Sequence, residues 1–370
     1  MKNSEKPYRV IISGGGTGGH IYPAIAIANE LKIQHPESEI LFVGALEKME
    51  MTKVPDYGYK IIGLPVRGLQ RKLSWQNLLF PFRLISSYLK AVQIINSFQP
   101  NAVVGTGGYA SGPTVMAAQN KGIPVLIQEQ NSYPGIANKR FAKKAQKICV
   151  AYEGMELYFD KSKLVITGNP VRQDIMTTSQ KRVEGLNYYG LVENKKTILV
   201  LGGSLGARSI NESIVTSLPE MLKADLQVVW QTGKIYYEEM IKRVKDFATT
   251  SVVVTRFIDK MDLAYAVSDV IISRAGALSI SEISIAGKPV IFIPSPNVAE
   301  DHQTKNAMAL VSREAAIMVQ DKEANKKLLE EVISLAGDEK RREILAKNIK
   351  NLSRPNAVKD IIRELKMIMN

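Results

Sequence analysis

Residues Arg9 to Leu31 read RVIISGGGTGGHIYPAIAIANEL: an apolar run, a cluster of small residues, then apolar residues at helical spacing. That order predicts a strand, a tight loop and a helix, the opening unit of a parallel α/β sheet. Gly14, Gly16 and Gly19 form a literal Gly-x-Gly-x-x-Gly. Small residues at this junction let backbone N–H groups approach a phosphate, and the helix N-terminus adds positive partial charge. Any phosphate-bearing ligand would suit. A nicotinamide dinucleotide also needs an acid about 20 positions on, at the end of the second strand. Here that strand, near Ile40 to Val43, runs into Gly44, Ala45 and Leu46, with Glu39 before it and Glu47 past the turn. His20, directly after the last glycine, is a second departure, so the spacing speaks for a phosphate turn and against a dehydrogenase.

The chain of 370 residues is long enough for two or three domains, and 45% apolar with 23% charged residues is the balance of a globular protein. A single cysteine, Cys149, excludes an internal disulfide and favours a reducing compartment. Charges at Lys2, Glu5, Lys6 and Arg9 speak against a secretory signal, and no apolar stretch reaches the roughly 18 residues of a membrane span. Most of the net charge of +13 falls in residues 51–150, which hold 13 Lys or Arg against two acids, Asp56 and Glu129. Such asymmetry predicts an anionic partner. No nucleic-acid motif is present, so nucleic acid is not expected. Within RGLQRKLSWQNLLFPFRLISSYLKAVQII, the residues Trp75, Leu78, Leu79, Phe80, Phe82, Leu84 and Ile85 are interleaved with Arg67, Arg71, Lys72, Arg83 and Lys90. That mixture suits an anionic bilayer surface, and equally a core-packed helix with solvated cations.

Strand runs alternate with helical patterns throughout, near 9–13, 40–44, 61–64, 102–105, 124–128, 147–151 and 164–167. After a Gly/Pro turn at Thr167 to Arg172 and a polar, irregular stretch up to Lys196, the pattern restarts. Two doubly wound domains follow, over 1–168 and 169–354, with a last helix in 355–370 returning to the first. Four junctions carry small-residue loops: Gly14 to Gly19, GTGGYASGP at Gly105 to Pro113, GGSLGA at Gly202 to Ala207 and RAGALS at Arg274 to Ser279. Two fall in each half. Ligands of open α/β sheets bind beyond the carboxyl ends of the strands, so two phosphate-bearing ligands are expected.

GGGTGGH, GTGGYASGP, EQN at Glu129 to Asn131, GNPVR, GGSLGA and SRAGALSISEI together resemble, in order and spacing over the whole chain, the MurG family of peptidoglycan glycosyltransferases. The resemblance implies two Rossmann-like domains facing across a cleft, the GT-B arrangement. It implies transfer of N-acetylglucosamine from its uridine diphosphate donor to undecaprenyl-pyrophosphoryl-N-acetylmuramyl-pentapeptide, by an enzyme peripheral to the cytoplasmic side of the bacterial cell membrane. Gly14, Gly15, Gly107 and Gly108 would then face the acceptor's pyrophosphate, with Tyr109 lining the acceptor site. Thr17, Gly18, Gly19 and Asn131 match contacts to the donor sugar, although Asn131 also suits a turn cap before Pro134. Ser204 would bind phosphate, aided by Gly206 and Arg172. Ile258 would meet uracil through its backbone. Ala277, Leu278, Ser279 and Glu282 would line the nucleotide, with the Glu282 carboxylate accepting from ribose hydroxyls. Gln303 would bind sugar hydroxyls and help select the C4 configuration.

The resemblance implies inversion at the anomeric carbon as the acceptor 4-hydroxyl attacks. His20 is the first choice of general base because imidazole titrates near neutrality, Glu129 is the rival, and a structural His20 donating to backbone at the helix start is the alternative to catalysis. The chain holds no Asp-x-Asp pair, so a leaving group stabilised without metal is expected, and no cofactor. Leu205 departs from the Gln found at that place in many family members. A sugar-nucleotide 2-epimerase shares the arrangement but leaves the basic aromatic segment unexplained. A non-enzymatic nucleotide-sugar-binding or membrane scaffold leaves His20 unexplained.

Overall fold

Along the first strand, β1 (Arg9–Gly14), successive side chains go to opposite faces of the sheet, and both faces are apolar: Val10 and Ile12 enter one core, Ile11 the other. A strand buried on both sides is what a parallel sheet clad by helices requires. The computed structural model describes residues 7–66, 80–247, 251–298 and 301–369. Its contacts divide the chain into two units, residues 1–171 with 356–370, and residues 172–355.

In the first unit β1, β2 (Glu39–Ala45), β3 (Lys60–Leu64), β4 (Ala102–Gly107), β5 (Val125–Glu129), β6 (Lys147–Val150) and β7 (Leu164–Ile166) form one sheet in the order β3-β2-β1-β4-β5-β6-β7, every pair parallel. One face packs on the helices Phe80–Phe98 and Ser111–Asn120 through Ala91, Ile95, Val115 and Ala118. The other packs on the helix Gly18–Gln34 and the C-terminal helix Ala357–Met369, through Ile25, Ala28, Ile361 and Leu365. Cys149 lies in this second core, where burial pushes its thiol far above the ordinary value, so it is not a nucleophile.

The second unit repeats the plan. Strands β8 (Lys196–Leu201), β9 (Leu226–Gln231), β10 (Val252–Thr255), β11 (Val270–Ser273), β12 (Val290–Phe292) and β13 (Ile317–Met318) run in the order β10-β9-β8-β11-β12-β13. Ile198, Val200, Val228 and Trp230 pack on Ile210, Ile214 and Leu218 of the helix Arg208–Lys223 and on Leu328 and Val332 of the helix Ala324–Gly337. The buried Trp230 indole donates to Asn211 Oδ1 at 3.1 Å. The stretch between Arg172 and Lys196, polar by composition, is not irregular. It forms a 3-10 helix over Gln173–Gln180 and a helix over Arg182–Tyr189, because Gly185 lets that helix approach the Leu263 carbonyl and Val267 closely.

In each sheet the first and fourth strands of the unit are neighbours, β1 with β4 and β8 with β11. Chain direction across the sheet reverses there, and that switch point is where open α/β sheets bind ligands. The four small-residue loops follow these same four strands. The division of contacts falls between Val171 and Arg172, a few residues past the Gly/Pro turn's start, because Asn169 is tied to the first sheet. Its carboxamide accepts from Gln128 Nε2 and donates to the Gln130 carbonyl, both at 3.0 Å.

Candidate active site

In the first unit the two glycine loops touch through main chain. Gly15 N donates to the Gly107 carbonyl at 3.2 Å, and a Cβ on Gly108 would lie 2.1 Å from the Gly15 carbonyl oxygen. Gly108 also has φ +85°, so any side chain there would be both strained and blocked. Of the glycines expected to face the acceptor pyrophosphate, Gly15 has its amide engaged inside the unit, and the neighbouring Gly16 N donates to the buried carboxylate of Glu50 at 3.0 Å. Gly14 is buried, a Cβ on it lying within 1.9 Å of Thr106 Oγ1. Thr17 and Gly19 are exposed and Gly18 half-buried. They begin the helix Gly18–Gln34, whose first turn has neither a side-chain cap hydrogen bond nor an acid. Tyr109 stands exposed beside Gly16.

His20 lies on this helix with its Nδ1 3.1 Å from the Gly15 carbonyl oxygen and 3.3 Å from Thr17 Oγ1. Its ring rests against Gly107, whose Cβ position would fall 2.9 Å from Cδ2 and 3.1 Å from Nε2. Thr106 Oγ1 donates to the His20 carbonyl at 2.8 Å and fixes the backbone below. A carbonyl oxygen only accepts, so the contact to Gly15 is a hydrogen bond in the tautomer with the hydrogen on Nδ1, which places the basic lone pair on Nε2.

Glu129 is in a different position. It is 1% exposed, and its oxygens accept from Asn131 N at 3.0 Å, Asn131 Nδ2 at 3.3 Å, Gly135 N at 3.0 Å and Asn138 Nδ2 at 2.9 Å. Four donors fill the acceptor capacity of a carboxylate. These bonds tie Glu129 to the loop after β5 and to the half-buried Asn131.

In the second unit the loop after β8 meets the loop after β9 through main chain, with the Tyr236 ring also against Gly206. A Cβ on Gly206, at φ +91°, would lie 2.2 Å from the Thr232 carbonyl oxygen, and one on Gly233 would lie 2.1 Å from Gly206 N. Lys234 N donates to the Ser204 carbonyl at 3.2 Å and Gly206 N to the Gly203 carbonyl at 3.1 Å, leaving Ser204 and Leu205 exposed at the tip. The buried Ile258 donates its N–H to Gln231 Oε1 at 2.9 Å. Gln303 Oε1 accepts from Ser295 N at 2.8 Å, which fixes the orientation of its carboxamide. Ala277, Leu278 and Ser279 open the helix Ala277–Ala286, which again lacks a side-chain cap and first-turn acids.

Glu282 projects from that helix into a polar cluster. Its Oε1 is 3.3 Å from Arg172 Nε and its Oε2 accepts from the buried Tyr265 hydroxyl at 3.1 Å. Burial holds the Glu282 carboxyl above the usual carboxylate range, with Arg172 opposing the rise. Burial and the Glu282 charge raise the Tyr265 phenol well above its ordinary value, so it stays a donor. Sequence reading pairs Arg172 with phosphate and misses both Tyr265 and Glu50. Tyr265 sits in an apolar helix, Met261–Val267, where an aromatic reads as core. Among the described residues no group of three or more His, Cys, Asp or Glu is arranged to hold a metal, and no helix is long and apolar enough to cross a membrane.

Residues 10–150 match the glycosyltransferase family 28 N-terminal domain and residues 197–365 the glycosyltransferase family 28 C-terminal domain. A Flavobacterium psychrophilum protein described as UDP-N-acetylglucosamine--N-acetylmuramyl-(pentapeptide) pyrophosphoryl-undecaprenol N-acetylglucosamine transferase is 55% identical over 359 residues, 97% of each chain. A Parabacteroides distasonis protein of the same description is 53% identical over 99% of each chain. Among solved structures, Acinetobacter baumannii MurG superposes with a TM-score of 0.78 at 28% identity, covering 98% of this chain and 100% of that one.

Proposed function

The chain belongs to glycosyltransferase family 28 and, within it, to the MurG family, and from that premise we propose how its residues divide the work. The enzyme transfers N-acetylglucosamine to the undecaprenyl-pyrophosphoryl muramyl-pentapeptide in peptidoglycan synthesis. The second unit takes the donor. Ser204 binds the diphosphate through its hydroxyl and N–H, with the helix start at Ala277, Leu278 and Ser279 adding partial positive charge, about 0.3 to 2 kcal/mol for such a terminus. Glu282 accepts from the ribose hydroxyls, and Arg172, now its ion-pair partner, turns toward the diphosphate. The Ile258 carbonyl and the Gln231 carboxamide read uracil between them. Gln303 donates its amide to the sugar.

The first unit takes the acceptor. Gly108 and Tyr109 form its contact surface, with Thr17, Gly18, Gly19 and Asn131 reaching the donor sugar. His20 Nε2 removes the proton of the acceptor 4-hydroxyl as its oxygen bonds to C1. The C1–phosphate bond breaks on the opposite side, inverting that centre, and the electron pair leaves with uridine diphosphate. The observation that carries the assignment of the base is the His20 Nδ1 contact to the Gly15 carbonyl, set against the four donors that occupy Glu129. Radiolabelled donor incubated with a lipid-linked muramyl acceptor is expected to yield labelled lipid at the same rate with and without a chelator. Release of free N-acetylmannosamine from donor alone would instead indicate epimerisation, and activity restored only by a divalent ion would reject main-chain stabilisation of the leaving group.

Loss of the Glu282 charge is expected to separate donor binding from stability. Because the native state holds this proton to a higher pH than the unfolded chain, stability declines as pH rises through the window between the ordinary glutamate value and the raised one. Glu282→Gln is therefore expected to unfold at or above the wild-type temperature at neutral pH. Donor affinity is expected to drop roughly 10- to 100-fold through weakened ribose hydrogen bonds. Isothermal titration with donor and thermal melts of the same samples check both.

The helix Phe80–Phe98 supports peripheral attachment to an anionic bilayer. Ser87, Ala91, Ile94 and Ile95 face the core, while Phe82, Ile85 and Leu89 form a stripe that is 71, 58 and 55% exposed. Arg83 and Lys90 lie on the same helix. Trp75, Leu78, Leu79, Arg67, Arg71 and Lys72 of the sequence motif lie outside the described residues. Replacing Phe82, Ile85 and Leu89 together by Ser is expected to weaken sedimentation with phosphatidylglycerol vesicles at least about tenfold at low salt. Sedimentation unchanged by these substitutions would remove the stripe from the membrane contact.

A further inference from the structure

Glu50 is 0% exposed. Its Oε1 accepts from Ala45 N and its Oε2 from Gly16 N, both at 3.0 Å, so each oxygen serves as an acceptor. Space for it exists because two neighbours lack side chains. A Cβ on Gly15 would lie 2.1 Å from Glu50 Oε1, and one on Gly44 would lie 2.6 Å from Glu50 Cγ. A buried carboxylate costs several kcal/mol in desolvation, and an apolar side chain would fill the same volume without that cost. What an apolar side chain could not do is grip the glycine loop.

The grip falls on one peptide unit. The Gly16 N–H that meets Glu50 and the Gly15 carbonyl that meets His20 Nδ1 at 3.1 Å are the two ends of the same planar group. Carboxylate, peptide and imidazole therefore stand in series. In a Ser-His-Asp triad a carboxylate touches Nδ1–H directly, holding the tautomer and favouring the imidazolium. Here a polarised amide stands between.

We propose that Glu50 acts through the Gly15–Gly16 peptide as a positioning residue for His20, fixing the tautomer in which Nε2 accepts the proton and stabilising the imidazolium that results. The proposal rests on His20 being the base. The proton moves from the acceptor hydroxyl to Nε2, Nδ1–H continues to donate to the Gly15 carbonyl, and Glu50 itself neither gains nor loses a proton. Other titratable side chains placed against this loop are Tyr22 over Gly18 and Tyr109 beside Gly16. Glu129 approaches from the end of β5 through Asn138, whose Nδ2 is 3.7 Å from the Gly107 Cβ position. All three are unchanged when only Glu50 is altered.

The test uses the full chain labelled with 15N-histidine, as wild type and as Glu50→Gln, which keeps the volume and removes the charge. Neutral wild-type His20 is expected as the Nδ1–H tautomer. In Glu50→Gln its midpoint is expected to fall by about half a pH unit, with the acidic limb of the kcat profile moving alongside. A fall in kcat of about tenfold is expected, with the donor KM within about twofold because the donor contacts lie elsewhere. A wild-type Nε2–H tautomer overturns the proposal whether or not the variant folds. A folded variant whose His20 midpoint and pH profile match wild type also overturns it. Near-normal turnover of a His20 variant would instead reject the base assignment while leaving the tautomer and midpoint results standing, so the two failures are distinct.

Discussion

Replacing His20 by Ala is expected to lower kcat by about 10²- to 10⁴-fold, the range typical of a lost general base, with donor affinity within about twofold of wild type because no donor anchor is removed. The sugar hydroxyl is a weak nucleophile, and the substitution removes the imidazole Nε2 that takes its proton. The fold should tolerate the change, since the His20 carbonyl still receives Thr106 Oγ1 and the core side of the helix is intact. Single-turnover rates with saturating donor, alongside donor titrations, separate the chemical step from binding. Turnover close to wild type would move the base elsewhere. Glu129 would then have to surrender hydrogen bonds to Asn131, Gly135 or Asn138 before it could accept a proton.

Gly206→Ala is expected to be nearly as damaging by another route. The methyl group would meet the Thr232 carbonyl oxygen at 2.2 Å in a backbone conformation of φ +91°. Left-handed backbone costs a non-glycine residue about 1 to 2 kcal/mol, and overpacking against main chain about 1 to 3 more. The second unit is therefore expected to lose about 3 kcal/mol of stability. Its donor affinity is expected to fall at least about tenfold as the loop bearing Ser204 is displaced. Denaturant titrations and donor binding measure the two effects. Equal stability and affinity in this variant would show that the loop can relax, and would weaken the case for a pre-formed phosphate rim.

Much of this arrangement is legible in the sequence because it is local. The apolar runs of β1, β4, β8 and β11 and the glycines after them are contiguous, and the chemistry of a strand-loop-helix junction is written within about ten residues. What is not legible is what arrives from elsewhere. Asking only whether an acid ends the second strand misses Glu50, which follows a turn and reaches back from the next helix into a hollow left by Gly15 and Gly44. Tyr265 is hidden because a buried aromatic with a polar tip has the pattern of plain core until its hydroxyl is seen against Glu282. Arg172 shows the converse. The GNPVR motif names the residue, but its neighbour in the molecule is a carboxylate on a helix more than a hundred positions away. The two-residue strand β13 is too short to give any periodicity.

The abutment of Gly206 and Gly233 bears on how the enzyme could escape an inhibitor. A compound that gripped only this meeting of loops would touch main chain, which codon changes cannot rewrite without meeting the 2.1 and 2.2 Å collisions described above. Resistance alleles selected under such a compound should therefore cluster at bordering positions with side chains to vary, such as the exposed Leu205, and spare the paired glycines themselves.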